Sequence, residues 1–371
     1  MSYVAGGLLC YVVSVFLLIC MFKSDRFLSA DILERSSPLD ALRGILATSV
    51  VLHHFFITYQ WKISGVWVRP QSDILNNMGS VPVSLFFMIT GFLFFGKIYK
   101  KRPDFLIILK SRVFRVFPLY FFLVFLVFLV FLVFLISFAE TGFSFVEGGN
   151  LIKELSKWAL FKGGSLNGFP DARLVVAGVP WTLRYEWFFY LSLPILAMMV
   201  NGKASGWYLL GSVLMVLMLF SGLKVELLFL FSFGFVPVVV GREFPGVLGV
   251  VRGKFFSCVC MALVFLAMML GAYSAVQMIV LGIAFLIISL GNNVFGVLRN
   301  SGLKFLGEIS YSVYLLHGLV LYVLFSMAGV FDFERWSLLA YVVLFPGVLL
   351  IVVLVSLCTY RVIEKPFMGG K

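Results

Sequence analysis

The sequence predicts an all-α polytopic integral membrane protein, with ten core transmembrane helices preceded by one extra N-terminal helix. Three observations carry this expectation. The mean hydropathy is +1.08. Hydrophobic residues make up 62% of the chain and charged residues only 12%, which excludes an ordinary soluble domain. The apolar residues come in blocks of roughly 17 to 23, the length a helix needs to cross a bilayer.

The first block, at 3–22, lacks a basic n-region and a small-residue cleavage site, so it reads as a retained helix and not a signal peptide. With its connection it forms a unit at 1–36, ahead of a single membrane domain at 37–371. Ten further spans are expected near 41–59, 80–98, 116–138, 181–200, 206–223, 225–241, 255–273, 274–291, 309–329 and 337–358. The loop at 97–115 anchors the topology, because it carries seven lysines and arginines against Asp104 alone and should be cytoplasmic. Alternation from there puts Lys23, Arg26 and Arg35, and the later basic clusters, on the same side. The N-terminus falls outside, the C-terminus in the cytoplasm, and the long connection at 139–179 outside. The tract "LVFLVFLVFLVFL" at 123–135 reads as a lipid-facing or packing helix.

The formal net charge is +12, and the loop distribution of the basic residues explains it without a nucleic-acid partner. All five cysteines fall inside apolar blocks, and Cys258 and Cys260 are too close for a CxxC pair. Neither a metal nor a disulfide is expected.

Against this background the polar residues inside spans stand out, since an ionisable group in lipid defaults to function. The stretch "PLDALRGILATSVVLHHFF" holds Arg43, His53 and His54, two of the three histidines in the chain. Eleven steps of about 100° bring Arg43 and His54 within about 20° of one helix face, about 16 Å apart along the axis. His53 lies about 80° away from Arg43 around the helix and need not share that face. A snorkelling arginine with a carbonyl-bonded histidine is the bland reading; an anion-binding arginine below a general base is the sharp one.

Other clusters follow along the chain. "VPWTLRYEWFFYLSLP" places Glu186 near the outer end of its span, among Trp181, Trp187 and Tyr190, with a bond to Arg184 as the structural alternative. "RVFRVFP" sets Arg112 and Arg115 side by side, as a phosphate clamp or as plain positive-inside anchoring. "LGEISYSVYLLHG" puts Ser310, Tyr314 and His317 on one stripe, and "YRVIEKPF" puts Glu364 and Lys365 at the end of the final helix. These last two suit caps and helix–helix hydrogen bonds as well as function.

Taken in order, "LDALRG…HH", "SLFFMITGFLF", "RVFRVFPLY", "PWTLRYEWFFYLSLP", "LGEISYSVYLLH" and "IEKP" resemble the membrane-bound acyltransferase family 3, the O-acyltransferases of bacterial surface polysaccharides, including O-antigen O-acetylases. The resemblance spans 39–366. Arg43 and His54 match its arginine–ten residues–histidine pattern, Arg112 and Arg115 its paired arginines. Trp181, Thr182, Leu183, Glu186, Phe189, Tyr190, Leu191 and Pro194 match its tryptophan-to-proline motif. Thr90 stands before Gly91 where the family usually has serine, and the extra first helix is a second departure.

The resemblance implies an enzyme of the bacterial inner membrane with no permanently bound cofactor. Its co-substrate is cytoplasmic acyl-CoA, acetyl-CoA being the commonest, and its acceptor a hydroxyl on a lipid-linked, undecaprenyl-type saccharide or surface glycan such as lipopolysaccharide O-antigen. In this reading Arg43, Arg112 and Arg115 hold the donor and His54 is the catalytic base. Glu186 is a second catalytic residue that orients His54, binds the sugar or stabilises the imidazolium. Trp181, Tyr190, Tyr314 and His317 are candidates for the acceptor or pocket. A transporter or flippase of a glycan or lipid precursor is the competing reading; the sequence shows neither an internal repeat nor matching broken helices to favour it.

Overall fold

The computed structural model describes residues 2–23, 37–100, 104–139, 148–166, 169–201, 210–214, 216 and 223–368. Among them all the regular secondary structure is helical, without a named β-strand. The helices are α1 (Ser2–Met21), α2 (Pro38–Ser64), α3 (Asp73–Lys100), α4 (Phe105–Ala139), α5 (Gly148–Ala159) and α6 (Trp181–Asn201). They continue with α7 (Val225–Phe233), α8 (Phe235–Glu243), α9 (Lys254–Met269), α10 (Ala275–Ser289), α11 (Ser301–Glu308), α12 (Ser310–Tyr322), α13 (Leu338–Val343) and α14 (Phe345–Thr359).

Among the described residues seven segments are long and apolar enough to cross a membrane: α1 to α4, α7 joined to α8, α12 with its continuation, and α14 with its continuation. The helices α9 and α10 are apolar but shorter. The protein is therefore multi-pass. The expected span at 206–223 lies largely outside the described residues.

Several expected boundaries shift for local reasons. The basic loop at 97–115 is mostly helix: α3 runs to Lys100 and α4 starts at Phe105, where the Asp104 carboxylate caps the backbone N–H of Leu106 at 2.9 Å. Lys110, Arg112 and Arg115 consequently sit on the first turns of α4. The connection at 139–179 contains α5 and a 3₁₀ turn at Ala172–Val176, held because Tyr120 donates to the Trp158 carbonyl at 2.5 Å. The span at 337–358 divides into α13 and α14, with Pro346 opening the second piece.

Helix α2 is the central element, packed on α3, α11 and α12. Ser37 caps it by accepting the Leu39 N–H at 3.2 Å, Pro38 fills the first turn, and Gly65, at φ 71°, ends it by donating to the Trp61 carbonyl at 2.8 Å. Most of its length is buried, which requires close neighbours and satisfied polar groups. Both requirements are met by named residues. A Cβ on Gly44 would meet the backbone N of Gly307 at 2.9 Å, and one on Gly307 would collide with the Asp40 carbonyl, so two glycines let α2 and α11 touch backbone to backbone. On α3, Pro82 has no N–H to give the Met78 carbonyl one turn earlier. Ser49 of α2 fills that vacancy, donating at 2.8 Å.

A second polar network fastens α3 to the α9–α10 corner. Asn77 donates to the carbonyls of Met268 and Leu270 at 3.0 and 2.8 Å, and Gln277 donates to the Asn77 side chain and the Ala267 carbonyl at 2.8 and 2.9 Å. Each group would be costly unpaired in a membrane interior. The aromatic tract of α4 divides as an amphipathic stripe should, Leu119, Leu123 and Val127 buried and Phe121 and Phe125 exposed.

Candidate active site

Helix α2 carries Arg43 and His54 into two cavities that abut, both lined by Val83 of α3 and Tyr314 of α12. The first holds about 1110 Å³ of atom-free space and the second about 980 Å³, counting their mouths, enough for sizeable ligands.

The first cavity is cationic. Arg43, Lys97, Arg112 and Arg115 line it, together with a single carboxylate, Glu186, and Tyr190 and Tyr311. Glu186 and Tyr190 are one turn apart on α6, and the tyrosine hydroxyl donates to Glu186 Oε2 at 2.9 Å. The Arg112 guanidinium lies 5.2 Å from the centre of the Phe94 ring, and the Lys97 ammonium 5.0 Å from it. The Nε atoms of Arg43 and Arg112 are buried and without a hydrogen-bond partner among the described residues. Convergent guanidinium groups with N–H to spare suit an anionic ligand.

The second cavity holds the histidines. His53 and His54 line it with Trp67, Arg69, Asn76 and Trp181. The His53 ring is tied back to the Leu75 carbonyl at 2.8 Å. His54 faces Trp67 at an interplanar angle of 27°, centroids 6.3 Å apart, and its Nδ1 is 3.2 Å from the Val50 carbonyl and 3.1 Å from Nε2 of His317. Arg69 is the one charged residue among the lining residues of this cavity. Between the two cavities, the hydroxyls of Thr182 and Tyr314 are 3.0 Å apart.

The structure therefore sorts the residues singled out in the sequence. Arg43, Arg112, Arg115, Glu186 and Tyr190 gather in the first cavity, His54 and Trp181 in the second, and Tyr314 borders both. Glu186 is thus placed with the arginines and away from His54, because its turn of α6 faces the first turns of α4. Arg184 does not line that cavity. His317, expected as an acceptor or pocket residue, lines neither cavity; it is 0% exposed, behind His54. Trp187 packs on Phe117, centroids 5.1 Å apart, as a core residue.

The two C-terminal motifs interlock beside the first cavity, which is lined by Ser310, Tyr311 and Tyr314 of the former. Ser312 donates to the Glu364 carboxylate, and Tyr360 donates to Glu308 at 2.7 Å, bracing α12 against the end of α14. A family model described as an acyltransferase domain, that of acyltransferase family 3, matches residues 38–361.

The chain belongs to acyltransferase family 3.

No curated protein and no solved structure matches it. Within this family 3 chain, Lys97, Trp67, Arg69 and Asn76 also line the cavities, and sequence reasoning singled out none of them as a site residue. Lys97 was submerged in a basic cluster. The other three lie between or beside spans, in "VWVRPQSDILNN", where a lone cation outside the membrane gives a weak signal.

Proposed function

We propose that this membrane acyltransferase carries an acyl group, acetyl in the simplest case, from acyl-CoA to a hydroxyl of a lipid-linked or surface glycan such as O-antigen. The donor enters the cationic cavity from the cytoplasmic side of a bacterial inner membrane, and the acceptor enters the histidine cavity from the other side. One observation carries the reading: Arg43 and His54 share a helix face and line two cavities that meet at Val83 and Tyr314.

The chemistry follows from the two chambers. Arg43, Lys97, Arg112 and Arg115 hold the phosphates of the coenzyme by charge-assisted hydrogen bonds. Its long pantetheine arm takes the thioester towards His54. A sugar hydroxyl is a weak nucleophile and needs a positioned base. His54 removes its proton as the oxygen attacks the thioester carbonyl; the C–S bond breaks, the ester forms, and the proton on His54 passes to the departing sulfur. Trp67 and Trp181 offer ring faces on which a sugar can pack.

The test is transfer of labelled acetyl from acetyl-CoA to isolated lipid-linked glycan by the protein in lipid nanodiscs. His54→Ala is expected to lower the rate by at least about 100-fold, the scale of a lost general base. Undiminished transfer in that variant refutes the base. Movement of labelled glycan across vesicles with no ester formed refutes the enzyme and leaves a flippase.

A further inference from the structure

A base is defined by which of its two nitrogens holds the lone pair, and the surroundings of His54 decide that. His317 sends its Nδ1 to the Val313 carbonyl at 3.1 Å, one turn back on α12. A carbonyl only accepts, so this nitrogen carries the hydrogen. In the neutral ring the lone pair is then on Nε2, which stands 3.1 Å from Nδ1 of His54. The other neighbour of that same His54 nitrogen, the Val50 carbonyl at 3.2 Å, is likewise an acceptor. Both partners therefore demand a hydrogen on His54 Nδ1.

We infer that His317 is a positioning residue that locks His54 in the Nδ1–H tautomer, leaving His54 Nε2 as the lone pair that meets the acceptor hydroxyl. This rests on His54 being the base. The chain of donors runs from His54 Nδ1 to His317 Nε2, and from His317 Nδ1 to the Val313 carbonyl, with no net charge. When His54 takes the acceptor's proton, the His317 lone pair already faces the side of the ring opposite the new N–H bond. His317 takes no proton itself: its Nε2 is engaged and its ring reaches neither cavity. His53 plays no part in this chain, since its Nδ1 is committed to the Leu75 carbonyl.

The tautomer is read directly by nitrogen NMR on protein labelled at its three histidines, with His53→Asn and His317→Leu assigning the signals. In the resting wild type, His54 is expected to show a protonated Nδ1 and a lone-pair Nε2; the reverse pattern overturns the inference, whatever the activity. In His317→Leu the His54 signals should become those of mixed tautomers, kcat should fall at least about tenfold, and KM for acetyl-CoA should stay within about twofold. His317→Gln, whose side-chain oxygen can accept in place of Nε2, should recover most of that loss. Unchanged kcat and unchanged signals in His317→Leu overturn the proposal, and should the leucine variant not fold, the wild-type spectrum and the glutamine variant still decide it. Full activity in His54→Ala defeats the base reading alone, because the wild-type tautomer remains measurable.

Discussion

At the scale of single residues, the first cavity makes a sharp demand on its arginines. Arg112 both stacks on Phe94 and shares the chamber with Arg43 and Arg115, so shape and charge are used together. Lysine preserves the charge and loses the planar fork and the stacking. Arg112→Lys is therefore expected to raise KM for acetyl-CoA about tenfold, with a smaller change in kcat, in steady-state assays in nanodiscs. Glu186→Gln should keep the bond from Tyr190 and remove the single negative charge of the chamber, so donor KM should fall; a rise would assign the carboxylate a direct contact with the donor. The Arg43–His54 relation was legible in the sequence because one helix fixes it by arithmetic alone. The His54–His317 contact was not, since 263 residues separate the two and only the packing of α12 on α2 brings them together. The neighbours of Glu186 were not legible for the same reason: they are contributed by α2 and α4, and its own helix does not reveal them.

At the scale of elements, α2 is held by small residues and single hydrogen bonds. Ser49 satisfies the carbonyl that Pro82 leaves open. Removing its hydroxyl strands a buried acceptor, and Ser49→Ala is expected to destabilise the fold by about 1–3 kcal/mol, seen as a lower melting temperature in detergent. Gly307→Ala should do comparable harm, of order 1–3 kcal/mol, because the added methyl collides with the α2 backbone at Asp40. The glycines of "LDALRG" and "LGEIS" could be read as motif letters in the sequence, yet nothing there says that they face each other. The helix starts fared unevenly. Ser37–Pro38 and the apolar run behind it announce α2 plainly, whereas the early start of α4 was hidden by a basic cluster that loop and helix share. Hydropathy is blind to a helix that carries its charges along one side.

At the scale of the whole molecule, the proposed sidedness rests on which end carries the cations. The corner after α8, near Gly246, lies at the end where Tyr99 meets Glu243, close to the cationic cavity; Ser64 ends α2 at the other side. In a cysteine-free background, Ser64→Cys in intact cells should react with a membrane-impermeant maleimide, while Gly246→Cys should react only after permeabilisation. The opposite pattern would invert the proposed orientation and with it the source of the donor. The multi-pass class was plain from composition, and seven membrane-length segments among the described residues bear that out. The count was harder to read: α9 and α10, at 16 and 15 residues, are shorter than the blocks of sequence that contain them, because turn-forming Gly271 and Ser274 cut between them.

The junction at Val83 and Tyr314 has a further bearing on the cell. A passage open towards both aqueous phases would be a short circuit across an energised bilayer, where each elementary charge falling through 100 mV releases about 2.3 kcal/mol. The guanidinium and ammonium groups that line the first cavity repel hydronium and metal cations, and the phenol of Tyr314 and the isopropyl group of Val83 stand where the two cavities meet. In the proposed reading, the junction that admits one thin acyl arm must also keep the membrane's battery from draining.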